Sequence, residues 1–199
     1  MGLFLCQPHS SEIVLGFVAD SGEATGLRWS APASGGGMTL LTSGALSGAS
    51  TVYSFTSTGY INIQIHFKNV WLDNSANGLK LRINADTGNN YAQGRYQLSP
   101  TAGDANQVTD HFLLTFRANG GSQAFYKNGH GIVTLYRPAD TDVIYMIGDC
   151  SQTDSVSGGD TWYNHIIGIY DCAAAVSSIT FFPNSNNFAN GNVYVYGVK

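Results

Sequence analysis

Tyr60-Ile61-Asn62-Ile63-Gln64-Ile65-His66-Phe67 is the stretch that decides the fold. Successive side chains of an extended chain point to opposite faces, so Ile61, Ile63, Ile65 and Phe67 share one side and Tyr60, Asn62, Gln64 and His66 the other. The alternation predicts a strand with Ile61, Ile63, Ile65 and Phe67 in the core. The same period recurs in Leu79, Leu81 and Ile83 against Lys80, Arg82 and Asn84, and in Val193 and Val195 against Tyr194 and Tyr196. Further strands are expected at 50–57, 91–98, 110–117, 132–136, 143–147, 163–171 and 176–182.

Between these runs stand Asn77-Gly78, Asn119-Gly120-Gly121, Asn128-Gly129, Ser157-Gly158-Gly159 and Asn190-Gly191, residues that accept the positive φ of tight turns. No long Gly-free window keeps a helical apolar period, although 171–178 can close a short helical turn. About ten short strands separated by turn chemistry predict an all-β protein, an antiparallel two-sheet β-sandwich of jelly-roll-like form. Periodicity alone does not separate jelly-roll from Greek-key connections.

Upstream, Gly35-Gly36-Gly37 follows Pro32 in a Ser/Ala-rich stretch and reads as a joint. Residues 1–37 are therefore expected to form an N-terminal arm with its glycine joint, and 38–199 the sandwich. The arm carries Leu3, Phe4, Leu5 and Phe17, apolar surface that calls for a partner, so it is assigned to assembly. Its longest apolar run, 13–19, is far too short to span a bilayer and is read as a strand; no membrane insertion is expected.

Charged residues make up only 11% of the 199 residues, well below the quarter or so of an average soluble protein. The surface is then neutral and polar, suited to ordered contacts with neighbours or sugars because few ions must lose water when it is covered. Nine Lys and Arg against thirteen acids leave a net charge of -4. The electrostatic term that drives nucleic-acid binding is absent, and no nucleic-acid partner is expected. Cys6, Cys150 and Cys172 are too few and too odd for a disulfide framework and read as reduced thiols, with a Cys150–Cys172 bridge left open to strand adjacency.

Chemistry is sparse. His9, His66, His111, His130 and His165 make no metal-ligand spacing. Asp110-His111 and the serines contain the residue types of a hydrolytic triad, but no Gly-x-Ser-x-Gly elbow is present. Glu12 and Glu23 are the only glutamates and both lie in the arm, which disfavours a glycosidase built on paired carboxylates. Gly129-x-Gly131 lacks the third glycine of a dinucleotide site. No enzyme activity and no cofactor are expected. Asn84, Asp86 and Asn90 alternate oxygen-bearing side chains that can curl around calcium, and Asp140 and Asp142 invite the same thought. An Asx-rich turn bonding its own backbone is the preferred reading. Of Trp29, Trp71 and Trp162, Trp71 sits at a strand-end core position, whereas Trp162 with Tyr163 offers aromatic faces for stacking on a sugar.

The strings Ala24-Thr25-Gly26-Leu27-Arg28-Trp29-Ser30-Ala31-Pro32, Met38-Thr39-Leu40-Leu41-Thr42-Ser43-Gly44 and Leu46-Ser47-Gly48-Ala49 resemble the junction of tail-fibre and related virion proteins of tailed phages, where a TGLxW segment precedes a jelly-roll-like head. Leu81-Arg82-Ile83-Asn84-Ala85-Asp86-Thr87-Gly88-Asn89-Asn90-Tyr91 is similar to a strand-turn segment of that family. Ile179-Thr180-Phe181-Phe182, Phe188, Gly191 and Tyr196-Gly197-Val198 are similar to its closing strands. The resemblance implies a location on the phage particle, a fibre-head or capsid-decoration role, and often a homotrimer. Other virion proteins of capsid or tail are then partners. The alternative it carries is host attachment through a surface glycan. One departure is that only 23 residues precede Ala24, where a long tail fibre has hundreds. That favours a small decoration or fibre-head protein, or attachment to a separate shaft.

Overall fold

The computed structural model describes residues 16–19, 27–30, 37–72, 78–98, 107–114, 126–154 and 161–199. The chain divides into two compact units, Met1–Gly37 and Met38–Lys199. In the first, β1 (Gly16–Ala19) pairs antiparallel with β2 (Leu27–Ser30), Phe17 opposite Trp29.

The second unit contains β3 (Met38–Ala45), β4 (Thr51–Ser54), β5 (Asn62–Leu72), β6 (Leu79–Ile83), β7 (Tyr91–Leu98), β8 (Gln107–Thr109) and β9 (Phe112–Leu113). It continues with β10 (Tyr126–Tyr136), β11 (Val143–Asp154), β12 (Thr161–Asp171), β13 (Ser178–Pro183) and β14 (Phe188–Val198). An eight-stranded sheet runs β3-β14-β5-β10-β11-β12-β7-β8, and a four-stranded sheet runs β4-β13-β6-β9. Every ladder is antiparallel. The protein is an all-β, two-sheet antiparallel sandwich; the strand orders do not by themselves make it a jelly roll.

The core lies between the sheets and follows the alternation of the sequence. Ile63, Ile65 and Phe67 of β5, Leu79, Leu81 and Ile83 of β6, and Val193 and Val195 of β14 are buried, while Lys80, Arg82, Tyr194 and Tyr196 on the other faces are half-buried. Phe67 meets Phe181 of the smaller sheet edge-on at 5.9 Å between ring centroids, and Tyr91 meets Phe112 at 5.1 Å. Three core-facing glycines make room for rings. A Cβ on Gly131 would lie 2.8 Å from Phe67 Cε1, one on Gly168 2.6 Å from Phe112 Cε1, and one on Gly197 2.6 Å from Tyr60 Cγ.

Ile61 departs from the expected pattern: it is 63% exposed. It precedes the first residue of β5, behind the turn at Gly59 (φ +86°), and the ring of Tyr60 takes the core-side space over Gly197 that Ile61 would otherwise fill. Asn128-Gly129 and Asn190-Gly191 are not turns between strands either. Both lie inside long strands at irregularities of register, and Gly191 reaches φ +145° there while Asn190 Oδ1 accepts its N–H. Gly78 (φ +90°) bears out the positive backbone angle expected of it, whereas 119–121 and 157–159 lie outside the described residues.

The 171–178 segment is not helical. Asn84 holds it open: its Oδ1 accepts the N–H groups of Ser177 (2.8 Å) and Ser178 (3.2 Å), and its Nδ2 donates to Ala175 O (3.0 Å). Cys150 and Cys172 are both buried free thiols. Burial of Cys150 pushes its thiol pKa up, so the group is a neutral packing element rather than a reactive thiolate.

Candidate functional site

The smaller sheet covers the inner face of the large one and leaves the outer face of the large sheet open. Across that face the ladders align Tyr194, His66, Ile132, Asp149 and His165 in one row, drawn from β14, β5, β10, β11 and β12. The row to one side continues His130, Ser151 and Tyr163. Between β5 and β10 the register slips at Gly129/Gly131, and Asn69 adopts φ +54°. The bulge exposes His130 and Lys68 beside the row, as bulges re-aim side chains elsewhere.

These residues line an open groove of about 550 Å³, with His66, Lys68, His130, Asp149, Tyr163 and Tyr194 on its walls and Gly131 among its lining residues. Asp149 and Tyr163 form a hydrogen-bonded polar unit in it. The Tyr163 hydroxyl donates to Asp149 Oδ1, and His165 Nδ1 lies 2.8 Å from the same oxygen. The Tyr163 hydrogen bond first, and that of His165 second, hold the Asp149 carboxyl below its ordinary range, so it is an anion at neutral pH. At the other end, the Lys68 ammonium lies 4.8 Å from the centre of the Tyr194 ring, a cation–π contact. His66 packs edge-on against Tyr196 at 5.1 Å and places Nε2 3.3 Å from Gln64 Oε1; burial pushes its pKa down.

Beside the groove the same face is apolar. Ile147 pairs with Ile167 and Tyr145 with Ile169, and Ile167 (55%), Tyr145 (49%) and Ile169 are exposed. The open face is thus a sequence of two surfaces, one aromatic and hydrogen-bonding, one aliphatic.

Tyr163 is the sequence-selected residue that reaches this groove. Trp162 occupies β12 opposite Gln152, and its side chain lies outside the described residues, as do Leu3, Phe4 and Leu5; Phe17 is placed in β1 with its side chain likewise outside them. Trp71 is half-buried in β5.

Asn84, Asp86 and Asn90 do come together, but their polar atoms are engaged with the protein. Asp86 accepts Gly88 N–H on Oδ1 (2.7 Å), and Asn90 Nδ2 (2.8 Å) and the Tyr170 hydroxyl (3.0 Å) on Oδ2. These bonds, that of Asn90 foremost, hold the Asp86 carboxyl below its usual range. Asn84 clasps 175–178 as described. Donors surround the carboxylate in place of further ligand oxygens, and among the described residues no three His, Cys, Asp or Glu side chains converge as a metal site. Asp140 is paired with Arg137, and the Asp142 carbonyl accepts Cys172 N–H.

On the small sheet, His111 Nδ1 lies 2.6 Å from Asp110 Oδ1, and Arg82 forms an ion pair with Asp110 Oδ2 while stacking over Phe182 at 4.4 Å. Burial raises the Asp110 pKa, and the bonds from His111 and Arg82 outweigh it, leaving a lowered value. Among the described residues no hydroxyl is hydrogen-bonded to His111 Nε2. Arg82 anchors Asp110 by a second bond to its carbonyl (3.0 Å), which marks the cluster as a clamp between β6 and the chain before β9.

No protein-family model matches the chain, and no curated protein matches it.

Proposed function

We propose that this protein is a surface module of a tailed-phage particle whose sandwich is a non-enzymatic recognition head, and that the groove on the open face of its large sheet binds carbohydrate. The particle location rests on the sequence resemblance over 24–198. The glycan reading is carried by the groove itself, where the exposed Tyr163 offers a ring face, Tyr194 and Tyr196 add aromatic lining, and Asp149 and Ser151 offer acceptors at the same surface. An aromatic face gives apolar area to the CH side of a pyranose, and fixed acceptors read its hydroxyls. A shallow, open site of this kind binds weakly alone. Display in several copies, as in a homotrimer, multiplies weak sites into avidity without any new contact.

A second reading is assembly into a larger structure with other virion proteins, and the exposed strip of Tyr145, Ile167 and Ile169 favours it. The two readings use adjacent parts of one face and are compatible.

A glycan array probed with the full chain tests the first reading, with Tyr163→Ala and Asp149→Ala as controls of unchanged melting temperature. Reproducible binding lost in both variants is expected. Absence of binding to any glycan, or binding indifferent to both substitutions, would refute it. Electron microscopy of purified particles tests the location, and particles without the protein would sink the virion assignment.

A further inference from the structure

Building on the groove as a carbohydrate site, we infer that its ligand is an acidic oligosaccharide, with an anionic group of one sugar held at Lys68 and the ring of another against Tyr163. The groove separates its charges: Lys68 is the ammonium of its lining and Asp149 the carboxylate, and they stand on different strands, β5 and β11. Oδ1 of that carboxylate already takes both Tyr163 and His165.

Lys68 is the decisive group. Its ammonium rests on the Tyr194 ring, and no acidic side chain of the described residues forms an ion pair with it. A cation–π contact orients the ammonium without consuming its N–H donors, which stay directed to whatever enters the groove. An anionic ligand group satisfies those donors and the charge together, which a neutral hydroxyl does not. The exposed His130 ring lines the same wall.

Size favours an oligosaccharide over a single sugar. Lys68 is on β5 and Tyr163 on β12, three strands away through β10 and β11, a span of roughly 14 Å at the usual strand spacing. One pyranose ring cannot touch both.

The test is binding by the full-length protein to a panel of uronate oligosaccharides, each paired with its carboxyl-reduced neutral counterpart, at low and at elevated salt. A parallel arm uses sulfated oligosaccharides to separate carboxylate from other anionic groups. The acidic member of a pair is expected to bind at least about fivefold tighter at low salt, with the difference shrinking as salt screens it. Lys68→Met, which keeps an apolar stem over Tyr194, is expected to abolish the difference between the two members of a pair. Equal binding of acidic and neutral members, with Tyr163 still required, overturns this inference alone. An acidic preference that survives Lys68→Met also overturns it. Failure of every member to bind removes the carbohydrate reading as well.

Discussion

Gly131→Ala tests whether the two sheets are packed as tightly as the ring geometry requires. The added Cβ would stand 2.8 Å from Phe67 Cε1, nearer still to Cζ, and 2.9 Å from the Asp149 carbonyl oxygen. Neither neighbour has room to retreat. Phe67 is 2% exposed and wedged against Phe181, and the Asp149 backbone belongs to a strand paired on both sides. Overpacking of this kind costs about 1–3 kcal/mol, and a backbone neighbour pushes it to the upper part of that range. The lower unfolded-state entropy of alanine offsets about 0.4–1 kcal/mol. A net loss of about 2 kcal/mol remains, or about 4–8 °C in melting temperature for a chain of this size. Circular dichroism melts and urea titrations measure it, with Gly37→Ala, whose Cβ would meet nothing within 4 Å, as the control. In a Phe67→Leu background, which removes the ring atoms but not the carbonyl, the penalty should fall by about 1 kcal/mol. A Gly131→Ala protein that melts with the wild type, or a penalty identical in the Phe67→Leu background, would refute the reasoning.

Ile63→Ala should cost about 2–5 kcal/mol and Ile61→Ala within about 0.5, because the first is fully buried and the second is not; equal losses in denaturant titrations would contradict the register. The Asp86 carboxyl is held below its ordinary value of 3.8, so its contribution is present at neutral pH and is lost as pH falls through the lowered pKa. Melts between pH 6 and pH 2 should show this acid loss diminished in Asp86→Ala, which also melts lower at pH 7; an unchanged acid profile would remove Asp86 from the account. Deleting residues 1–34 should leave a soluble, cooperatively melting domain, since the described core residues run from Leu46 to Val195, and should prevent incorporation into particles. An insoluble truncation, or one that incorporates at wild-type occupancy, would count against the arm as anchor.

Where a strand is buried on one face and wet on the other, its sequence announces it. The 79–83 and 91–98 strands run over the expected bounds, and β5 and β14 alternate as read. Edge strand β3 gave no such signal, because it is mostly exposed on both faces and Met38 and Leu40 point into solvent. The long outer ends of β10 and β11 were missed for a related reason: Asn128-Gly129 read as a turn, whereas Gly129 pairs with Val70 of β5 and His130 with Ser151 of β11. The groove was legible in part. Tyr163 and the outward positions of Tyr194, Tyr196 and His66 were readable, but their meeting with Lys68, His130 and Asp149 depends on strand order, which periodicity does not encode. Asn84 and Asp86 were noticed for their oxygens; Gly88 and Asn90 bond those of Asp86 locally, as the Asx-turn reading expects, while the remaining bonds come from Ser177, Ser178 and Tyr170, some ninety residues downstream.

The pairing of Met38 with Val198 has a mechanical consequence. Tension applied between those two residues opens the β3–β14 ladder from its end, one bonded pair after another, and meets little resistance. Load carried from a ligand in the groove to an anchor at Met38 takes another path. Lys68 lies beside Asn192, whose pairing with Ala45 closes the far end of the β3–β14 ladder, so such a pull draws β3 lengthwise past β14 and strains the ladder's hydrogen bonds together. The head should yield easily in a force trap gripping both residues and hold far longer when tethered at one and drawn by its bound sugar.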